Sequence, residues 1–257
     1  MISSALTDIG MRRSSNQDTF IRKAFSEKTY LTVVCDGMGG VKGGKEASKI
    51  ASEKFVSVIE KFLKDYIGVK DKVLHSREVR EVMMEAVEKA NTAVHQYSKI
   101  YSSLRGMGTT LVAALVIKNM VFCVNVGDSR MYFIKGNKIR QVTKDHSYVQ
   151  YLVDHGKITQ EEALSFPNKN IITKAVGTES HVEADFFKES VSDGTFVLLC
   201  SDGLTNFVSD EEIKNILIEN DSDNIDEIQL SVAVKKLIDT ANENGGADNI
   251  TASVVRV

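Results

Sequence analysis

The run Thr110-Leu111-Val112-Ala113-Ala114-Leu115-Val116-Ile117-Lys118-Asn119-Met120-Val121-Phe122-Cys123-Val124-Asn125-Val126-Gly127-Asp128 decides the fold class. It holds two short apolar stretches, 110–117 and 120–126, rich in β-branched residues and separated only by Lys118-Asn119. Each stretch is short for a helix and suits a buried strand. The pattern repeats at once: 130–134 and 138–142 flank Gly136-Asn137. A connection this tight joins antiparallel strands, whereas a parallel pair needs a crossover of roughly a dozen residues or more. The middle of the chain is therefore expected to be an antiparallel meander.

Working outward, the N-terminal third reads as strand, loop, strand, then two long helices. Leu31-Thr32-Val33-Val34-Cys35 is the clearest strand there. Ala47, Ile50, Ala51, Phe55, Val58, Ile59, Phe62 and Leu63 then recur at helical spacing, as do Val79, Val82, Met83, Val87, Ala90, Val94 and Tyr97. On the C-terminal side, 148–169 is more polar and suits one or two short helices, with Thr159 ahead of Glu161-Glu162 as a helix start. Strands are expected over 182–188, 195–200 and 250–257, and helices over 209–219 and 225–242. Antiparallel strands bracketed by paired amphipathic helices give an α+β fold: two packed antiparallel β-sheets flanked by pairs of α-helices, a four-layer αββα sandwich.

The 257 residues contain one proline, Pro167, and no linker-like tract, so residues 1–257 read as a single domain with enough chain to bury its own core. A net charge of -3 argues against broad nucleic-acid binding. Cys35, Cys123 and Cys200 sit singly in apolar runs and read as buried reduced thiols. No basic-then-apolar leader opens the sequence and no apolar run is long enough to span a bilayer. A cytoplasmic monomer without membrane partners is the expectation.

Four aspartates carry the chemistry. Asp36 ends the strand Val33-Val34-Cys35, Asp202 follows Leu198-Leu199-Cys200-Ser201, Asp128 follows Val124-Asn125-Val126-Gly127, and Asp248 stands just before the last strand. One Asp-Gly after a strand is an ordinary turn. Four carboxylates on strand ends would repel one another if they met, and a divalent cation removes that cost. An oxygen-only ligand set favours Mg2+ or Mn2+ over zinc. Two such ions can lower the pKa of a shared water and clamp an in-line displacement at phosphorus. Arg13, in Arg13-Ser14-Ser15-Asn16-Gln17-Asp18, supplies a guanidinium fork suited to a phosphate.

These segments carry a resemblance. Gly10 to Asp18, Val34-Cys35-Asp36-Gly37-Met38-Gly39-Gly40, Gly108-Thr109-Thr110, Asn125-Val126-Gly127-Asp128-Ser129-Arg130, Thr143-Lys144-Asp145-His146-Ser147, Cys200 to Thr205 and Asp248-Asn249-Ile250-Thr251 occur in the order seen in bacterial type 2C metal-dependent serine/threonine protein phosphatases. The chain resembles that family over nearly its whole length. The resemblance implies hydrolysis of phosphoserine and phosphothreonine in proteins. It implies that Asp36 bridges two core ions, that the Gly37 carbonyl binds the first, and that Asp202 and Asp248 join Asp36 on the second. It further implies that Asp128 and Asp202 hold a third ion, that Arg13 binds the substrate phosphate, and that Asp18 acts on the attacking water from behind the ligands. Phosphorylated proteins would be substrates, a cognate serine/threonine kinase a partner, and 148–170 a flap beside the site.

Some family members place a histidine, proposed as general acid, where this chain has Met38, and a thioether has no proton to give. A water on the third ion is the expected donor instead. Three other readings fit the residues less well. Gly39-Gly40-Val41-Lys42-Gly43-Gly44-Lys45-Glu46 nearly fits a nucleotide-binding P-loop but has Glu46 in place of the Mg2+-binding hydroxyl. Asp145-His146-Ser147 lacks the surroundings of a serine hydrolase, and His146 reads as structural. A catalytically dead binding module would have lost ligands that this sequence keeps.

Overall fold

The computed structural model describes residues 1–67, 74–164, 166–167, 170–219 and 225–257. Ser165, Asn168 and Lys169 of the expected flap lie outside the described residues. The strands are β1 (Ile2–Asp8), β2 (Thr19–Ser26), β3 (Thr29–Cys35), β4 (Gly37–Met38), β5 (Gly108–Thr109), β6 (Leu111–Ile117), β7 (Met120–Val126), β8 (Arg130–Lys135), β9 (Lys138–Gln141), β10 (Asp185–Ser190), β11 (Phe196–Cys200) and β12 (Ile250–Arg256). The helices are α1 (Gly40–Lys64), α2 (Ser76–Ile100), α3 (Tyr148–Asp154), α4 (Gln160–Leu164), α5 (Asp202–Thr205), α6 (Asp210–Glu219) and α7 (Glu227–Glu243). One sheet runs β1-β12-β11-β8-β9 and the other β10-β7-β6-β3-β2, with every neighbouring pair antiparallel.

The alternation of side chains in β6 accounts for the four layers. Leu111, Ala113 and Leu115 face the α1–α2 pair, packing with Ala47, Ala51, Phe55, Ile59, Met83 and Val87. Val112, Ala114 and Val116 face the other way, against Met131, Val197, Leu199 and Val255 of the second sheet. That sheet's opposite surface, Leu198, Cys200, Ile250, Ala252 and Val254, takes α6 and α7 through Ile213, Leu217, Val234 and Leu237. A strand buried on both faces reads as an uninterrupted apolar run, as β6 does. Each interior leucine emptied to alanine would cost about 2–5 kcal/mol.

Local signals set the helix ends. Thr159 N–H donates to Glu162 Oε2 at 2.7 Å and Glu162 N–H donates to Thr159 Oγ1 at 3.1 Å, the reciprocal cap expected at that position. Asp226 and Gln229 form the same cap on α7.

Two expectations need correction. The N-terminal third holds a long strand more than the strand–loop–strand reading: β1, β2 and β3 all precede α1, along with the two-residue β4. β2 lies at a sheet edge and is half exposed, with Arg22, Lys23 and Ala24 in succession, so it shows no clean apolar run. The strand expected over 182–188 is Asp185–Ser190. Val182 and Ala184 pack against the core without joining the ladder.

The topology brings four chain ends to one edge of the sandwich. β3 and β7 flank β6 with Val34 opposite Val112 and Val126 opposite Leu111, so residues 36 and 128 leave the same end of one sheet. β11 and β12 pair with Cys200 opposite Ala252, so residues 202 and 248 leave the corresponding end of the other. The 9–18 connection crosses that end from β1 to β2.

Candidate active site

A cleft of about 360 Å³ opens there, lined by Asp36, Asp128, Asp202 and Asp248 together with Arg13, Gln17, Met38 and Asn249. The two sheets contribute two carboxylates each.

Asp36 is clamped through its backbone. Its N–H donates to Thr110 Oγ1 at 2.9 Å, and its carbonyl accepts from Thr110 N–H and Thr109 Oγ1, both at 2.8 Å. This explains why Gly108-Thr109-Thr110 belongs to the motif set. Gly37 has no room for a side chain, since a methyl there would sit 2.1 Å from the Gly44 carbonyl oxygen. Asp202 opens α5 and accepts from Asn206 Nδ2 at 2.9 Å, while its Oδ1 is buried without a hydrogen-bond partner. Asp248 accepts from Asn249 N–H at 2.8 Å through one oxygen and from Arg13 Nη2 at 2.6 Å through the other.

Asp18 lies behind the cleft, 7% exposed. Its Oδ2 accepts from Ser201 Oγ at 2.7 Å and Thr251 Oγ1 at 2.6 Å, and its Oδ1 is buried without a hydrogen-bond partner. It thus ties Ser201, between β11 and α5, to Thr251 of β12. Asn249 does comparable work. It accepts from Gln17 N–H at 2.8 Å and donates to the carbonyls of Ile9 and Ser15 at 2.9 and 3.0 Å, pinning the Arg13 loop to the Asp248 segment.

Asp128 is set by a network below it. Arg130 donates from Nε and Nη2 to Asp145 at 2.7–3.0 Å and from Nη1 to Tyr132 at 3.0 Å. His146 Nδ1 accepts from Gly127 N–H at 3.1 Å, and the His146 N–H donates to the Gly127 carbonyl at 2.9 Å. His146 is thereby a structural latch on the loop that bears Asp128, with burial pulling its pKa down.

The electrostatics follow from crowding. Burial, then Asp18, Asp202, Asp128 and Asp248 in that order, lift the Asp36 carboxyl well above the ordinary range. Burial and then Asp202 push Asp128 up to about 8. Burial takes Asp18 up to about 6 against the pull of its two hydroxyl donors. Asp202 is raised by burial and by Asp248. Arg13 is raised chiefly by its hydrogen bond to Asp248, with Asp36 and Asp202 also in its field. Such a cluster disfavours its own ionised form and gains from positive charge. Oxygen donors with two orphaned buried carboxylate oxygens nearby suit a hard divalent cation. Among the described residues no group of three or more His, Cys, Asp or Glu side chains is already arranged to hold an ion. Carbonyl and water ligands, which Mg2+ and Mn2+ routinely retain, would have to complete the sphere.

All seven sequence-predicted residues, Arg13, Asp18, Asp36, Gly37, Asp128, Asp202 and Asp248, meet in or directly behind this cleft. The roles of Asn249, Ser201 and Thr251 were missed, although they stand inside quoted motifs. Cys35 and Cys200 are fully buried, and burial holds both thiols far from ionisation, Cys200 at about 12. That disfavours the thiolate chemistry a redox switch requires.

The protein phosphatase 2C family model matches residues 11–243. The chain belongs to that family. Among similar proteins, a Listeria welshimeri serine/threonine phosphatase stp is 36% identical over 249 residues, covering 97% of this chain and 93% of the relative. The crystal structure of serine/threonine phosphatase Stp1 from Staphylococcus aureus superposes with a TM-score of 0.86 at 34% identity, covering 100% of this chain and 95% of that one. The catalytic domain of PstP, solved in complex with 2 manganese ions, has a TM-score of 0.79 at 32% identity, covering 98% and 96%. The expected type 2C identity and αββα architecture are borne out. The P-loop reading is not: Gly40 to Lys45 form the first turns of α1, and β3 before them sits in an antiparallel sheet. No helix among the described residues is long and apolar enough to cross a membrane.

Proposed function

We propose that this member of the 2C family hydrolyses phosphoserine and phosphothreonine in proteins at the cleft between its two sheets, using carboxylate-held Mn2+ or Mg2+. The observation that carries the reading is the meeting of four carboxylates from both sheets with one arginine at a single open cleft. Asp36, the Gly37 carbonyl, Asp202 and Asp248 would hold two ions, and Asp128 with Asp202 a third. When bound, the ions supply an attacking water of lowered pKa and neutralise charge at phosphorus.

The chain's own groups do the rest. Arg13 presents its fork at the mouth of the cleft, where its half-exposed side chain can exchange Asp248 for two phosphate oxygens. Asp18 keeps Ser201 and Thr251 in place and adds negative charge behind Asp36, favouring proton removal from the nucleophile's side of the cleft. Met38 lines the cleft but has no proton for the leaving oxygen, so proton delivery falls to the Asp128 side.

Residues 1–257 act as one catalytic domain in this reading, supported by a family match over 11–243 and by a site drawn from both sheets. The 148–170 segment is its flap: Asn170 lines the cleft, and α3 and α4 stand beside Asp128. A cytoplasmic enzyme acting as a monomer on the products of a serine/threonine kinase completes the proposal. The test is phosphate release from a phosphothreonine peptide. Release with Mn2+ that stops with EDTA supports the reading, and EDTA-insensitive release overturns it.

A further inference from the structure

The glycine-lysine run that fails as a nucleotide loop has a place beside the active cleft. Lys42 and Lys45 project from the first turns of α1 into a groove of about 530 Å³, whose other walls include Ser15, Tyr97 and Tyr101. The two tyrosine rings pack against each other at a 44° tilt, with centroids 4.6 Å apart. Both lysines are exposed. Neither forms a salt bridge with a described residue, and only Glu46 among the lining residues is acidic.

The same two segments, 13–17 and the start of α1, line this groove and the catalytic cleft. Ser15 lies between Arg13 and Gln17, which both line the cleft, and its carbonyl is held by Asn249 at 3.0 Å. Gly44, the residue before Lys45, packs so closely on Gln17 and Gly37 that a methyl there would meet Gln17 Oε1 at 1.9 Å. Gly40 lines the cleft, and Lys45 is five residues further along α1, about 7.5 Å at the helical rise. An extended peptide covers that distance and somewhat more in roughly two to four residues.

We infer that the Lys42–Lys45 groove is a specificity subsite for negative charge on the substrate, two to four residues from the phosphoresidue being hydrolysed. The occupant is an anionic segment of a phosphoprotein, bearing either an acidic side chain or a second phosphoryl group. The inference rests on the proposed protein phosphatase function and adds a substrate preference to it. Two exposed cation–anion contacts are each modest, so the expected gain is a preference of about three- to tenfold, weakening as salt is raised.

The experiment compares kcat/KM on matched phosphothreonine peptides. One has neutral flanks, one has glutamates three residues away on either side, and one carries a non-hydrolysable phosphonate at those positions. The wild-type chain should favour at least one anionic peptide by about three- to tenfold. In K42A/K45A the ratio should fall to about one, and in K42R/K45R it should persist. Turnover of p-nitrophenyl phosphate, too small to reach the groove, should match wild type in both variants and shows that they are folded. A preference for glutamate alone or phosphonate alone names the anion. Equal kcat/KM on neutral and anionic peptides, or a preference undiminished in K42A/K45A, overturns the inference. Loss of all hydrolysis by the wild-type chain, the aryl phosphate included, overturns the functional reading beneath it.

Discussion

Arg13 Nη2 lies 2.6 Å from Asp248 Oδ2, joining a group proposed to bind substrate to a group proposed to bind metal. An ion drawing on the same Asp248 oxygen would weaken its hold on Arg13 and leave the guanidinium freer for phosphate. Arg13→Ala should raise KM for a phosphopeptide by about 10-fold or more, the loss of a charge-assisted fork. Arg13→Lys should recover only part of that, because an ammonium cannot make the paired contact. Steady-state kinetics at saturating Mn2+ check both. An unchanged KM in Arg13→Ala would remove Arg13 from phosphate binding.

Asp18 is buried behind the cleft with one oxygen on two hydroxyls, so its effect passes through its neighbours. Asp18→Asn keeps an oxygen acceptor but drops the charge behind Asp36. The Mn2+ concentration for half-maximal activity should rise about 10–100-fold, as when an outer partner of a metal site is lost. The melting temperature of the metal-free chain should not fall, because a buried repulsive charge has gone. A large drop in that temperature with unchanged metal demand would make Asp18 a packing residue only.

The raised carboxyls fix the direction of a pH effect on the metal-free fold. Asp18 at about 6 and Asp128 at about 8 stand above the ordinary value near 3.8. The folded state therefore holds these protons more tightly than the unfolded state. Their stabilising contribution is complete below about pH 4 and is lost as pH rises through 6 and 8. In EDTA the chain should melt lower at pH 8 than at pH 6, Mn2+ should restore it at pH 8, and Asp128→Asn should flatten the slope. Thermal melts across that range decide it, and a rising melting temperature in EDTA would contradict the assignment.

The Asp128 side is the proposed source of the leaving-group proton, since Met38 has none. Asp128→Ala should slow a phosphoserine peptide far more than p-nitrophenyl phosphate, whose leaving group needs no proton. About 100-fold against less than 10-fold is the expected contrast, in the range of general-acid contributions. Equal slowing of both substrates would place Asp128 in metal retention instead.

Much of this architecture was legible because strands buried on both faces write themselves as apolar runs. β6 and β7 sit within a residue of the boundaries read from 110–126. β2 escaped because a half-exposed edge strand mixes lysine and arginine with its apolar residues. α5 escaped because four residues beginning at Asp202 are too few to show a period. The aspartates were found because a carboxylate at the end of an apolar strand is a local pattern. The duties of Asn249 and Thr251 were hidden because they join segments more than 200 residues apart, and no local window records such a hydrogen bond.

The central claim is that aspartates from both sheets grip hard ions on which turnover depends. The direct measurement is Mn2+ binding to EDTA-stripped protein by titration calorimetry, paired with phosphopeptide turnover, for wild type, Asp36→Asn and Asp202→Asn. The account predicts at least two ions per wild-type chain, with activity returning as they bind, and loss of both binding and turnover in each variant. Full activity in the stripped protein, or wild-type Mn2+ binding in Asp36→Asn, would contradict it.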